Sequence, residues 1–431
     1  MVNIGLLNHT DPIKKAFSIL LKLLIGLLLC LVIYLNIRLY FGPHFENKAA
    51  ILEDSHKQLN FLGYEIHNND LGKRMQDIFP EGFVFTNALY GLSCAEIAAN
   101  PNSGGLKKSY YISEARFAFD EINSEYAKQN FIKSMSPEYG MYYIGWKNYL
   151  LGKILSAQKH IDSAELVLFK NNCKSISEAL KNNFYPSSYP ASSWPADAAV
   201  GVASLKQHDL LFEPEYDSVI KDWIQKVKLN LDSTTGLIPH AVEAETGKPI
   251  DVARGSSICL TLIFLSEIDP VFAKEQFDLF YEKFTITRFG LPFVREYPKG
   301  SKGHADIDSG PVILKVGFAG TIVATGTFIK FGELETANKI SACIESIGFP
   351  KIDGDQKKYL SGKLPIADAF IVWTRLQSSE TIRDNYSYGS FLIFHIYSFL
   401  VVFLFIVLFY RKRLWDLFNK NRNRHIASKQ K

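Results

Sequence analysis

Cysteine is scarce in this chain, and so is an excess of charge of either sign. Only five cysteines occur among 431 residues, with no CxxC pair and no metal-like spacing. That pattern argues against a zinc-built fold. Cys30 sits in an apolar run; Cys94, Cys173, Cys259 and Cys343 could form bridges, although burial as free thiols is the commoner fate of such residues. The formal net charge of +4 is too balanced for a nucleic-acid surface. Neither a metal nor an organic cofactor is expected, and no nucleic-acid partner. A small-x-small cleavage site is also missing after the first apolar run, where Arg38-Leu39-Tyr40-Phe41 is bulky, so that run reads as an uncleaved anchor rather than a signal peptide.

What the chain does have is two long apolar runs, near its ends. Residues 16–40 and 388–410 each exceed the ~20 apolar residues that cross a bilayer core. Arg411, Lys412, Arg413, Lys420, Arg422, Arg424, Lys429 and Lys431 follow the second run, opposed only by Asp416, and Lys14 and Lys15 precede the first. The positive-inside rule then puts residues 1–15 and 411–431 in the cytoplasm and residues 43–385 outside, as a two-pass protein of the cell membrane with the lipid bilayer as partner. His395, inside the second run, reads as a tolerated polar residue of a Ser- and Tyr-containing helix.

Between the runs a pattern recurs. A polar or Gly/Pro turn opens an apolar helix that begins with small residues, near Gly82, Tyr139, Pro195, Arg254, Asp308 and Pro365, at intervals of 57, 56, 59, 54 and 57 residues. A period just above ~50 residues holds two helices and two loops, the unit of a helical-hairpin array. Amphipathic segments alternate with these starts: 47–62, 110–131, 163–182, 215–231, 270–285 and 333–347. In the fourth, Val219, Trp223, Val227 and Leu231 recur at helical spacing beside Lys221, Asp222 and Lys226. These are outer helices, apolar on one face, and the six apolar helices are inner ones, buried all round. The fold class is an all-α (α/α)6 toroid flanked by two transmembrane helices.

Loops from inner to outer helices are short and those from outer to inner are long, so the long loops gather on one rim, at the inner-helix N-termini. Functional residues concentrate on loops held by a rigid scaffold. This rim carries Trp194 and Asp197, His240 and Arg254, Arg295, His304, Asp306 and Asp308, with Tyr142, Tyr143 and Trp146 in the second repeat and Asp368 and Trp373 in the sixth. Each has an ordinary reading. Carboxylates in first turns complement the helix dipole; Arg254 could bridge one of them; loop histidines are commonly solvated; tryptophans are commonly core. Together they bring acids, bases and aromatics to one end of one ring. Carboxylates beside aromatic platforms suit sugar binding and glycosidic chemistry, in which apolar sugar faces stack and an acid protonates the leaving oxygen.

The motifs resemble those of the six-hairpin (α/α)6-barrel glycosidases, nearest to the unsaturated glucuronyl and rhamnogalacturonyl hydrolases. Asp197 stands in DAAVGVASL where that family has DDxxxGxxxL; Thr235-Gly236-Leu237-Ile238-Pro239-His240 matches TGLxxH; Ala253-Arg254-Gly255-Ser256 matches its ARG segment. The chain departs in having Ala198 for the second Asp, no tryptophans around the ARG segment, and no carboxylate near Tyr142 or Tyr143. The resemblance implies a glycoside hydrolase-like enzyme with Asp197 as proton donor and His240 and Asp308 as further catalytic groups. Arg254, Asp306, His304, Trp194, Tyr143, Trp146 and Arg295 would bind substrate. The barrel also resembles linalool dehydratase-isomerase-like proteins, which implies a lyase or isomerase acting on a small amphipathic alcohol, and a non-catalytic scaffold is the third reading. Helix directions place both anchors at the base of the ring, with the mouth away from the membrane, which ranks a carbohydrate substrate first.

Overall fold

The computed structural model describes residues 12–101, 105–158, 160–307, 309–378 and 391–429. Asp308 and the start of the second apolar run, at Tyr388, lie outside the described residues. In chain order the helices are α1 (Pro12–Arg38), α2 (Lys48–Asn69), α3 (Leu71–Gln76), α4 (Gly82–Ala99), α5 (Gly105–Ile122), α6 (Glu125–Lys128), α7 (Gly140–Ser156), α8 (Ser163–Asn182), α9 (Pro195–Leu211), α10 (Asp217–Leu229), α11 (Gly255–Ile268), α12 (Pro270–Phe284), α13 (Phe318–Lys330), α14 (Leu334–Ile347), α15 (Pro365–Arg375) and α16 (Leu392–Lys429).

Side-chain oxygens cap several outer helices. Asp162 accepts from the backbone of Ala164 and Glu165 to start α8, and Asp269 accepts from Val271 and Phe272 to start α12. Pro195, Pro270 and Pro365 occupy first-turn positions, where the missing N–H costs nothing.

The inner helices close a ring: α4 packs on α7, α7 on α9, α9 on α11, α11 on α13, α13 on α15, and α15 back on α4. The outer helices α2, α5, α8, α10, α12 and α14 clad it, their polar faces turned out. In α10, Val219, Ile220, Trp223, Ile224 and Val227 are buried. Some inner helices touch backbone to backbone. A Cβ at Gly145 of α7 would stand 3.2 Å from the Gly201 nitrogen of α9.

Across the middle of the ring Trp146, Phe264 and Trp373 meet at centroid distances of 5.5 to 6.2 Å. At the far end Glu267 accepts from Lys330 and Tyr149 at 2.9 and 2.8 Å, and Lys153 reaches Glu96 at 3.0 Å. These late-helix residues form a charged floor. Cys94, Cys173, Cys259 and Cys343 are buried free thiols.

Three features depart from the sequence reading. The fifth inner helix begins at Phe318, not near Asp308, because Gly310, Pro311 and two consecutive left-handed residues, Leu314 and Lys315 (φ 52° and 71°), build a hairpin instead. That hairpin is β5–β6 (Val312–Ile313, Val316–Gly317). Among the described residues it is one of four antiparallel pairs in the long loops, with β1–β2 (Ala241–Val242, Pro249–Asp251), β3–β4 (Thr285–Arg288, Leu291–Val294) and β7–β8 (Lys351–Asp353, Gln356–Lys358).

The third departure concerns the apolar helices. Two segments, Lys15–Arg38 and Leu392–Tyr410, are long and apolar enough to cross a membrane. They pack on each other. Between them His395 donates from Nδ1 to Asn36 at 2.6 Å and accepts the Tyr40 hydroxyl at 2.6 Å, while Asn36 donates to Ser398.

They meet the ring at the rim, not at the base. Arg38 pairs at 2.9 Å with Glu345, Ser346 donates to Leu35, and Tyr34 stacks on Phe349. All three partners lie at the C-terminal end of α14 or just beyond it, which is the rim end of an outer helix. Phe391 packs in one cluster with Leu39, Leu291, Ala342 and Cys343. The expectation that α2 starts at the base holds, but residues 39–47 first run back along α14, where Phe45 donates to Asn338 at 2.9 Å. Those residues separate the end of the first apolar helix from the start of the ring.

Candidate functional site

A cavity of about 300 Å³ opens at the rim, inside the ring of inner-helix N-termini. Its wall is mainly apolar: Phe79, Phe85, Leu260, Phe318, Ile322 and Phe370 form most of it, and Tyr142, Tyr189 and Trp194 add aromatic faces. Polar groups enter at few points, as Glu81, Asp197, His240, Ser256 and Ser257. An apolar cavity with a few convergent polar groups is the usual form of a small-molecule site.

Asp197 is in the first turn of α9, 9 % exposed. Pro195 pre-forms that turn, and Ser188 of the preceding loop donates to Asp197 Oδ2 at 2.5 Å. The loop is itself pinned: Ser188 bonds Ser192 through the backbone and Ser193 pairs with Val242. Trp194, half-buried, immediately precedes the helix and meets Tyr189 edge to face at 5.9 Å. Glu81 precedes α4 on the same cavity wall; its carboxylate accepts the Tyr189 hydroxyl at 2.7 Å, and its carbonyl accepts that of Tyr142.

His240 and Arg254 form a second group. Arg254 precedes α11 in extended conformation and is 4 % exposed. Its Nε donates to Glu296 at 3.0 Å and its Nη1 to Asp306 at 2.6 Å, and the guanidinium lies over the Tyr297 ring at 5.3 Å. Nη1 also stands 3.3 Å from His240 Nε2. A guanidinium only donates, so Nε2 accepts and the proton sits on Nδ1, 3.1 Å from Ser257 Oγ. Burial first, and the Arg254 charge second, lower the His240 pKa to about 4; the imidazole is neutral at pH 7.

Burial alone would raise the Asp306 carboxyl, but hydrogen bonds from Arg254 and Ser309 prevail and hold it at about 2. Glu296 is buried, and that burial raises its carboxyl against the opposing pull of Arg254 and Ser256.

The remaining candidates fall elsewhere. His304 is exposed on its loop, where its carbonyl accepts the Tyr297 hydroxyl. Arg295 is buried, folded back onto the carbonyls of Tyr297 and Pro298. Tyr143 turns outward and donates to Ile122 of α5; its neighbour Tyr142 lines the cavity instead. Trp146 belongs to the packed middle layer, against Phe85 at 5.1 Å. Asp368 is fully buried away from the cavity wall, accepting from the Tyr359 backbone, and burial raises its carboxyl to about 8. Trp373 is in the middle layer. The sequence reading overlooked Glu81. It lies two repeats before Asp197, beside the turn that opens the first inner helix, and that equivalence of position was its only signal. Among the described residues no three His, Cys, Asp or Glu side chains cluster as a metal site.

No family model and no curated protein matches the sequence. Among solved structures, the chain is similar to a GH76 α-mannanase of Bacteroides thetaiotaomicron, at 13 % identity and a TM-score of 0.41, over 73 % of this chain and 97 % of that one. A likeness that loose carries no inference about chemistry; the closed all-helical ring and its rim cavity stand on their own geometry.

Proposed function

We propose that the protein is a membrane-anchored, glycoside hydrolase-like enzyme that cleaves a C–O bond in an amphipathic substrate at the rim of the ring. α1 and α16 would be its anchors, with both termini cytoplasmic and the ring outside. Asp197 delivers a proton to the leaving oxygen as the C–O bond breaks. Glu81 takes a proton from the incoming water, whose oxygen bonds to the carbon. His240, neutral and aligned by Arg254 and Ser257, positions the substrate's polar group without competing for that proton. Trp194 and Tyr189 supply flat faces for a sugar ring.

The observation that carries this reading is the composition of the cavity: two carboxylates from different repeats, Glu81 and Asp197, on a mainly apolar wall. A purely polar glycan would leave that wall solvated to no benefit, whereas an alkyl or prenyl aglycone gains about 0.8 kcal/mol per buried methylene. The same wall favours one second reading, elimination of water from an amphipathic alcohol. There Asp197 again protonates the leaving oxygen, and Glu81 removes a proton from the neighbouring carbon to leave an alkene.

The test is turnover by the full-length protein in detergent micelles, with alkyl and prenyl glycosides of graded chain length, free oligosaccharides and prenyl alcohols as the panel. Rates should rise with chain length, and Asp197→Asn should lower them by roughly 10²–10⁴-fold. Efficient cleavage of free oligosaccharides, or an unaffected Asp197→Asn variant, would refute the proposal. A sugar product identifies hydrolysis, and an alkene from the alcohols identifies the second reading.

A further inference from the structure

The apolar helices meet the ring on the side that carries the cavity, and the loops around the mouth are unusual for a water-facing surface. Phe289, at the tip of β3–β4, is 55 % exposed and lies against Tyr397, within the apolar part of α16. Its turn needs two left-handed residues, Phe289 and Gly290 (φ 52° and 82°), and a Cβ at Gly290 would stand 2.6 Å from Ile393. Glycine there lets the hairpin close onto the helix. Ile313 and Leu314, at the tip of the adjoining β5–β6 hairpin, are 55 % and 58 % exposed. Arg288 ties the two hairpins by donating to the Leu314 carbonyl. Phe349 is 44 % exposed and stacks on Tyr34 of α1. At the mouth itself Ile307 and Leu364 line the cavity and are exposed in turn.

A basic residue accompanies four of these apolar positions, Arg288 beside Phe289, Lys315 beside Leu314, Lys351 near Phe349 and Lys363 beside Leu364, while Ile307 stands between Asp306 and Asp308. Apolar tips with adjacent cations match the boundary between acyl chains and phosphate headgroups.

We infer that the rim is set into the membrane interface, so that the cavity opens onto the bilayer and is loaded with a lipid from it. The occupant of this surface is the bilayer that α1 and α16 span, since Phe289 and Phe349 touch those helices within their apolar stretches. The inference rests on the membrane-anchored reading. It deepens that reading by naming the substrate class as a bilayer-resident amphiphile, entering laterally rather than from water.

Nitroxide labels on the full-length protein, in phosphatidylcholine vesicles containing phosphatidylglycerol, test it. With Cys30→Ser as background, labels go on Leu314→Cys at the rim, Ser163→Cys at the base and Ile33→Cys in α1. The ratio of oxygen to nickel-chelate accessibility should be severalfold higher at 314 and 33 than at 163. If 314 behaves like 163 while 33 remains in lipid, the inference fails and the anchors stand; if 33 is also aqueous, the membrane reading fails with it. In the same vesicles, a phosphatidylcholine carrying a diazirine on its acyl chain should leave adducts on residues 318–323 of α13. Ala367→Trp, which fills the cavity, should remove those adducts and keep the ones on α1 and α16. Adducts on α1 and α16 alone in the unsubstituted cavity would overturn lateral loading.

Discussion

Arg254 Nη1 stands 3.3 Å from His240 Nε2, a contact that fixes the tautomer of an imidazole which burial, more than the Arg254 charge, keeps neutral. A fixed donor and a fixed positive charge both oppose protonation. His240 is thereby held neutral, with its proton on Nδ1.

That state has a signature in stability. The folded His240 pKa is about 4, against an ordinary 6.5. Between those values the unfolded chain binds a proton that the folded chain refuses, so the His240 contribution to stability is lost as pH drops from 6.5 towards 4, by up to about 3 kcal/mol. Asp306, Glu267 and Glu345 are each held at about 2; their contribution is present above the ordinary carboxylate pKa and lost only as pH falls further, towards 2. Asp368, held protonated in the fold up to about 8, contributes the opposite slope across the upper window. That window is therefore read as the difference between the pH-dependent thermal midpoints of the full-length protein and of His240→Asn in detergent, while the lower window should be the same in both.

Asp197→Asn keeps the shape of the first turn of α9 and removes the acid. Loss of a general acid lowers turnover by roughly 10²–10⁴-fold, and the melting midpoint should stay within a degree or two of the parent. Glu81→Gln should give a loss of similar order, because the proposed reaction needs both carboxyl groups. A Glu81 variant with full turnover would remove it from the mechanism.

Arg254→Met leaves Glu296 buried with no cation beside it. Breaking a buried pair on one side costs about 3–5 kcal/mol, read as a large fall in melting temperature. Arg254→Met combined with Glu296→Gln should recover part of it. Arg254→Lys should not rescue the site, since an ammonium cannot hold Glu296 and Asp306 from one planar fork.

Gly145→Leu tests the close contact of α7 with α9. A Cβ there already approaches Gly201 N at 3.2 Å and Asp197 O at 3.4 Å, so the larger side chain must push the helices apart. Overpacking of this kind costs about 1–3 kcal/mol. Turnover should fall as well, because the displaced helix carries Asp197. Gly145→Ala should show both effects in milder form.

The repeat of about 56 residues was enough to specify a ring of six helical hairpins, because apolar periodicity is a local property and each hairpin buries its own stripe. The same local logic put Pro195 and Asp197 in the first turn of an inner helix and marked the two apolar helices. It did not separate Tyr142 from Tyr143. Adjacent residues on a helix point about 100° apart, and only the packed ring decides which faces the cavity.

Nor did it find the hairpins in the long loops. Short strands pair across turns such as Leu314-Lys315 and Phe289-Gly290, whose left-handed conformations depend on what surrounds them. Glu81 and Asp197 are far apart in sequence, and it is the packing of α4 on α7 and of α7 on α9 that brings them to one cavity. The side on which the apolar helices attach was tertiary too. Helix direction alone places the start of α2 at the base, and that is where it lies. The run of residues 39–47 back along α14, fastened by Asn338, carries the end of the first apolar helix to the rim instead. Contacts between segments hundreds of residues apart decide that side, and no local pattern encodes them.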